Sequence, residues 1–167
     1  MHVRFLAAVG LIVTGACAVA QPISIPIPDQ GWSIHLDAPA LMQKQGQQDG
    51  PNYVYRANGG RFNLSIFVEP QAAAGGRKEC YEFYWPKASR NPYIDKASVK
   101  VSNTEKYYRV EYMIAVAANG KLARQSNVNY YFQSEGKWVD MHISFIEPTK
   151  EDETAIAAFD KVLSYGK

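Results

Sequence analysis

Apolar and polar residues alternate along much of the chain, with the period of two that is typical of a half-buried β-strand. Between Trp32 and Phe145 this pattern recurs often enough to predict a protein built mainly from strands. The stripes expected to face a core are Trp32, Ile34 and Leu36; Phe62, Leu64, Ile66 and Val68; Tyr108, Val110, Tyr112, Ile114 and Val116; Leu122, Ser126, Val128, Tyr130 and Phe132; and Val139, Met141, Ile143 and Phe145.

Short polar turns separate these strands. Asn58-Gly59 and Asn119-Gly120 are dipeptides that accept the positive φ of a tight hairpin turn, and SEGK at residues 134–137 supplies a third turn. The last three strands are therefore expected to form an antiparallel meander. The glutamine-rich segment 41–52 has no apolar stripe and is interpreted as a polar loop.

Two segments have helical character. After Pro148, Thr149 precedes three acidic residues, which is typical of a capped helix N-terminus. The apolar residues of that helix recur at helical spacing, and Gly166 is expected to stop it. The insert 71–95 contains a short predicted helix at 77–85, which Pro86 limits. The residues expected on the buried face of the C-terminal helix are Ile156, Phe159, Val162 and Leu163.

These elements predict an α+β domain. Its antiparallel sheet should have about five to seven strands, with the C-terminal helix packed on one face. The short irregular helical insert is the candidate to cover the other face.

The first 20 residues read as a signal peptide. Arg4 precedes an apolar run that is too short to span a membrane, and Ala18 and Ala20 form an A-x-A cleavage site. Lipid attachment at Cys17 is the alternative. Residues 21–31 are rich in proline and are interpreted as an extended lead-in, so 32–167 is the single predicted domain. The protein is therefore expected to be periplasmic or secreted.

Charge and cysteine content narrow the possible partners. Loss of Arg4 leaves 17 of the 18 basic residues against 16 acidic ones, so no charge excess favours nucleic acid. Removal of Cys17 leaves Cys80 alone in aromatic surroundings, which predicts a buried thiol. No cofactor is indicated.

The segment Trp138–Phe145 spaces Asp140, His142 and Ser144 at alternate positions. These are the residue types of a hydrolytic triad, and two of them are also metal ligands. Alternate residues on a strand lie roughly 7 Å apart, whereas proton transfer needs hydrogen bonds of about 3 Å. Zinc sites need three or four ligands. We therefore interpret the spacing as one face of a strand, with no catalytic or metal site assigned.

That face is expected to carry both polar and apolar side chains. It is either covered by the insert 71–95 or open to a ligand. The residues assigned to it besides Asp140, His142 and Ser144 are Asn63, Ser65, Phe67, Arg109, Glu111, Met113, Asn127, Asn129 and Tyr131.

The insert concentrates aromatic and basic residues, among them Tyr84, Trp85, Arg90 and Tyr93. Protein interfaces favour this composition, and a cover over the sheet would also use it. The candidate binding residues are Tyr84, Trp85, Arg90, Tyr93, Arg109, Tyr131, Asp140 and His142.

Several segments resemble the PsbP-like/DcrB-like superfamily of small exported α/β domains. They are GWSIHLDAP, FNLSIFVEP, KWVDMHISFIEPT and the C-terminal EDETAIAAFDKVLSYGK, with Trp32, Pro39 and Phe159 as typical residues. The resemblance covers most of 31–167. It implies an antiparallel sheet between helices and an accessory or binding role, with no shared catalytic residues.

Three functions are compatible with the sequence. The first is an exported, non-enzymatic accessory domain that binds another envelope or secreted protein, one form being an immunity-type inhibitor of a toxin. The second is a periplasmic carrier of a small molecule or lipid. The third is a hydrolase or metal enzyme that uses His142.

Overall fold

The computed structural model describes residues 20–72, 74–118 and 121–167. The predicted signal peptide up to residue 19, Cys17 and the Asn119-Gly120 turn lie outside these residues. The elements are β1 (Gln21–Ile27), β2 (Trp32–Ala38), β3 (Gln43–Asp49), β4 (Asn52–Gly59), β5 (Phe62–Pro70), α1 (Arg77–Ala88), β6 (Ile94–Asn103), β7 (Tyr108–Ala118), β8 (Lys121–Ser134), β9 (Lys137–Ile146), α2 (Lys150–Val162) and β10 (Ser164–Gly166).

The larger sheet has seven antiparallel strands in the order β3-β4-β5-β9-β8-β7-β6. The predicted hairpin and the meander of β7, β8 and β9 are both present. The first hairpin turns two residues later than expected, because Gly59 pairs with Phe62 and the turn consists of Gly60 and Arg61. Gly60 has a φ of +62°, which suits glycine.

The glutamine-rich segment forms a strand, so the loop prediction for 41–52 is wrong. β3 pairs with β4 from Gln43–Asn58 to Asp49–Asn52. All seven of its residues are exposed. A strand that lies at a sheet edge and faces solvent needs no apolar stripe, which explains why alternation did not reveal it.

A second sheet of three strands, in the order β1-β2-β10, packs against the larger one. The proline-rich segment is extended, as expected, but it is a strand of the fold, paired with β2 from Gln21–Ala38 to Ile27–Trp32. Gly166 does not stop the C-terminal helix. That helix ends at Val162, and Gly166 belongs to β10, opposite Ser33.

The main core lies between the three-stranded sheet, α2 and one face of the seven-stranded sheet. Thr149 caps α2 as predicted, since its Oγ1 accepts from the backbone N–H of Asp152 at 3.4 Å. Val162, expected inside, is 38% exposed. The largest buried side chains of this core include Trp32, Ile34, Leu36, Phe62, Leu64, Ile66, Tyr130, Phe132, Met141, Ile143, Phe159 and Leu163.

A second core lies on the opposite face of the seven-stranded sheet, beneath α1. This helix runs two residues beyond Pro86, because a proline in the last turn removes only one backbone hydrogen bond. The insert therefore covers part of this sheet face. The buried residues of the second core are Cys80, Ile94, Val110, Tyr112, Tyr131 and Trp138.

Cys80 is fully buried, as predicted, and its thiol donates to the carbonyl of Val139 at 3.4 Å. Burial raises the pKa of this thiol to about 12. Among the described residues, no helix has the length and apolar character needed to cross a membrane.

Candidate functional site

The mixed face predicted around Asp140 is assembled by strand register. On β9, Asp140 lies between Phe67 and Tyr131 of the neighbouring strands. His142 and Ser144 follow on the same face, because side chains of alternate residues point to one side of a sheet. The flanking residues on β5 and β8 are those predicted for this face, namely Asn63, Ser65, Phe67, Asn127, Asn129 and Tyr131.

Arg109 does not belong to this face, and its assignment there is wrong. β7 places Arg109 opposite Tyr130, on the side of the main core. Its Nε donates to Asp160 Oδ1 of α2 at 2.9 Å. Glu111 and Met113 share this side by alternation, so both were also assigned to the wrong face.

The tyrosine stripe of β7 lies instead beneath α1. Tyr108 stacks on Tyr81 with ring centroids 5.0 Å apart, and Tyr112 contacts Trp85 at 5.4 Å. Both faces of β7 are therefore partly buried. Alternation alone could not decide which of them belongs to the main core.

Tyr131 is completely buried by α1. Its ring stacks on Tyr84 at 6.1 Å and contacts Tyr81 at 5.8 Å. The hydroxyl of Tyr84 donates to Glu69, which ties α1 to β5. Because α1 covers it, Tyr131 is not accessible to a partner in solvent. Its contacts with Tyr81 and Tyr84 instead help to hold α1 on the sheet.

Asp140 lies in the same covered region and joins a network of neutral groups. Asn129 Nδ2 donates to its Oδ1 at 2.7 Å, and Tyr112 donates to Asn129 Oδ1 at 3.1 Å. Burial raises the pKa of Asp140 to about 6, although the hydrogen bond from Asn129 opposes the shift. The carboxyl group is bound to an amide and does not contact His142.

His142 bonds to a different amide, with its Nε2 lying 3.0 Å from Asn127 Oδ1. Burial lowers the pKa of His142 to about 4 and favours the neutral ring. Ser144 Oγ accepts from Gln125 Nε2 at 2.8 Å. The three residues that resemble a triad are thus each bonded to an amide side chain. Among the described residues, no group of three or more acidic, histidine or cysteine side chains is arranged to hold a metal.

Beyond α1, the same face is an open groove of about 520 Å³. Arg56 lies beside Ser65 on this face, and its guanidinium is 5.6 Å from the ring centre of Phe67. The sequence reasoning missed Arg56, although alternation along β4 would have placed it here. The residues that line the groove are Met42, Gln43, Lys44, Gln45, Arg56, Ala57, Asn58, Asn63, Leu64, Ser65 and His142.

The remaining candidates Trp85, Arg90 and Tyr93, together with two nearby lysines, form a surface where α1 ends and β6 begins, here called the α1–β6 patch; Trp85 is half-buried and the other four residues are exposed. It consists of Trp85, Lys87, Arg90, Tyr93 and Lys96. Tyr93 is 56% exposed, and all three basic residues are exposed. Within the described part of the chain, none of these basic groups has a salt bridge. The patch is therefore aromatic and positively charged.

An apolar cleft of about 560 Å³ lies on the other side of the molecule, between α2 and the sheet. Phe62, Phe145 and Phe159 form its floor. At its rim, Arg61 and Asp152 form a salt bridge of 2.8 Å. No feature of the sequence analysis predicted this cleft, because its walls come from segments that are distant in sequence.

Comparison with known proteins reveals a likeness of fold. No protein-family model matches the chain, and no curated protein matches it in sequence. Among solved structures, it is similar to LpqN, a protein involved in cell envelope biogenesis of Mycobacterium tuberculosis. The TM-score is 0.53 at 12% sequence identity, over 89% of this chain and 92% of LpqN.

A second solved structure, of a Bacteroides thetaiotaomicron protein, gives a TM-score of 0.43 at 10% identity. The match covers 80% of this chain and 45% of the Bacteroides protein. The PsbP-like/DcrB-like resemblance stays a prediction from the sequence. The likeness to LpqN is one of overall fold, since the sequence identity is only 12%.

Proposed function

We propose that this protein is an exported, non-enzymatic accessory domain that binds another protein of the cell envelope through the α1–β6 patch. The observation that carries the proposal is the 56% exposure of Tyr93 among basic side chains that have no salt bridge within the described residues. Tyrosine, tryptophan and arginine dominate the binding energy of protein interfaces.

The patch rests on a fixed base. Trp85 packs on Tyr112, and the Nζ of Lys96 donates to the carbonyl of Ser89 at the end of α1. A surface that is ordered before binding loses less conformational entropy when a partner docks. Because Lys87, Arg90 and Lys96 are all positive, the expected partner presents acidic side chains.

Two further observations support a role in the envelope. The sequence predicts export, and a protein with a similar fold, LpqN, is involved in cell envelope biogenesis. The amide partners of Asp140, His142 and Ser144 favour a binding role over hydrolysis, since none of the three contacts another. An immunity-type inhibitor, whose partner would be a toxin, is one form of this proposal.

Site-specific photo-crosslinking in cells tests the proposal. A photoreactive residue at Tyr93 should form a covalent adduct with one envelope protein, whereas the same residue at Val162, on α2, should not. Arg90→Glu should abolish the Tyr93 adduct, and Lys78→Glu, a charge reversal at the other end of α1, should preserve it. An adduct that is absent, or that is insensitive to Arg90→Glu, would contradict the proposal.

The apolar cleft favours a second candidate, a carrier of a small apolar molecule or lipid. Its volume and phenylalanine floor suit a hydrocarbon chain. In that case, denaturing mass spectrometry of the purified protein should release a bound apolar compound. Ala158→Trp, which fills the cleft, should remove the compound without unfolding the protein. Purified protein that contains no such compound would count against the carrier.

A further inference from the structure

The edges of the two sheets differ in how they are protected from further strand pairing. Exposed edges invite association, and proteins block them with proline, bulges, short strands or charged side chains, especially lysine. β1 contains Pro22 and Pro26, and β10 has only three residues. On β6 the pairing with β7 shifts register between Asp95 and Lys100. Three of the four edges in the described chain therefore carry a protective feature.

The fourth edge, β3, has no proline, bulge or shortened strand, and its one lysine, Lys44, falls opposite Gly50 of the second copy in the register described below. Its seven residues pair with β4 in one continuous register, they include no proline, and every one of them is exposed. An edge of this kind presents a row of backbone N–H and C=O groups that can accept another strand. β3 is therefore able to bind an additional antiparallel strand.

Two charged side chains beside this edge define the strand that fits. Arg56 on β4 and Asp49 at the end of β3 lie on the same face, because Arg56 pairs with Gln45 and Asp49 follows Gln45 at even spacing. Both side chains are exposed. Within the described residues neither has a salt bridge, so each lacks a charge of opposite sign.

The geometry points to a second copy of this chain as the occupant. In the antiparallel register that places Gln47 opposite Gln47 of the second copy, Asp49 of that copy lies opposite Gln45. Arg56 is the next residue in this row, two interstrand spacings, or about 10 Å, from Asp49 of the second copy. The long arginine side chain can cross that gap. The two-fold symmetry forms the Arg–Asp pair twice and opposes no like charges on β3.

The pairing would join two seven-stranded sheets into one continuous sheet. It leaves the α1–β6 patch of both copies free, so this inference is independent of the proposed function. In the single chain the Arg56 guanidinium stacks on Phe67 of β5, on the side of β4 away from β3, so it has to swing across β4 to reach Asp49 of the second copy.

Sedimentation equilibrium over a wide concentration range tests this dimer, using protein purified from cells that express the full chain. The wild type should dimerise reversibly. Arg56→Asp and Asp49→Arg should each weaken the dimer by at least about tenfold, since each removes two ion pairs and opposes like charges. The double variant restores both pairs with their signs exchanged and should recover the dimer.

Arg90→Glu is the matched control. It reverses a charge in the α1–β6 patch and should leave the dimer constant unchanged. Circular dichroism must show that every variant is folded. A monomeric wild type, a dimer that tolerates both single reversals, or a double variant that stays monomeric would each overturn the inference.

Discussion

Arg109 on β7 and Asp160 on α2 are joined by a hydrogen-bonded ion pair of 2.9 Å across the main core. The same carboxylate oxygen accepts from the hydroxyl of Tyr130 at 2.8 Å. The Arg109 side chain is only 13% exposed. The pair thus fastens the C-terminal helix to the seven-stranded sheet through charged groups that are mostly removed from water.

We expect Arg109→Leu to lower the free energy of unfolding by about 2–4 kcal/mol. The substitution leaves Asp160 without its cation, and an unpaired, partly buried charge is costly. Urea unfolding followed by circular dichroism measures the effect. Lys100→Ala is the control, because its ion pair with Glu111 spans 3.9 Å at the surface. That control should change stability by less than about 1 kcal/mol. Equal losses in both variants would contradict this role of Arg109.

Gly59→Ala should also destabilise the protein, by about 1–3 kcal/mol. A Cβ at Gly59 would lie 2.5 Å from the carbonyl oxygen of Ala40. That oxygen belongs to the backbone, so it cannot rotate away as a side chain would. Thermal unfolding provides the measurement.

Gly60→Asn serves as the comparison for Gly59→Ala in the same turn. A Cβ there meets nothing within 4 Å, and asparagine tolerates the φ of +62°. It should therefore have a much smaller effect. If Gly59→Ala proved as stable as Gly60→Asn, that result would contradict the close approach of Gly59 to the carbonyl oxygen of Ala40.

The sequence predicted the elements that turn a continuous apolar stripe toward the main core. Alternation located β2, β5 and β9, and helical spacing located α2. It failed for β3, whose stability comes from pairing with β4 and not from burial of its own side chains. A strand of this kind leaves no hydrophobic signal.

The sequence also did not determine which face of β7 turns toward the main core, and Arg109 was assigned to the wrong face. Tyr108 and Tyr112 pack beneath α1, while Arg109 reaches across to α2. When a sheet is covered on both sides, either stripe of a strand can be apolar. The choice then depends on register with β8, which the pattern of residues within β7 does not contain. The composition of the α1–β6 patch was visible in the sequence, but its separation from Asp140 and His142 was not.

His142 should make stability depend on pH. Burial lowers its pKa to about 4, against about 6.5 in an unfolded chain. Between these values the unfolded chain binds more protons, so the free energy of unfolding falls as the pH falls from about 6.5 to about 4. At about 1.4 kcal/mol for each pH unit between the two values, the full contribution is about 3 kcal/mol.

The variant His142→Asn isolates this contribution. Its stability relative to the wild type should rise as the pH falls through that window, and it should be constant above about pH 7. Urea unfolding at a series of pH values gives the difference. A difference that does not change with pH would show that His142 titrates alike in the folded and unfolded chains.

Asp140 should make stability depend on pH in the opposite sense, so that its contribution to the free energy of unfolding falls as the pH rises. Burial raises its pKa to about 6, against about 3.9 when unfolded, so the folded chain binds more protons between these values. The wild type therefore loses this contribution as the pH rises from about 4 to about 6. Asp140→Asn keeps an oxygen acceptor for Asn129. Its stability relative to the wild type should therefore rise as the pH rises from about 4 to about 6. A gain on lowering the pH instead would contradict the assignment.

Cys80 should resist thiol reagents in the folded protein. It is fully buried, and burial raises its pKa to about 12, so the reactive thiolate is scarce at neutral pH. Peptide mapping after treatment with iodoacetamide should find the Cys80 peptide unmodified under native conditions and alkylated in urea. Rapid native alkylation would show that α1 leaves the sheet readily.

The two cores share a pair of strands. β8 contributes Tyr130 and Phe132 to the main core and Tyr131 to the second, while β9 contributes Val139 and Met141 to one and Trp138 to the other. Neither helix can therefore lose its support without exposing apolar side chains on strands that the other helix also needs. Loss of either layer should therefore destabilise the other. We expect the described domain to unfold in a single cooperative transition, without a stable intermediate in which only one core is folded.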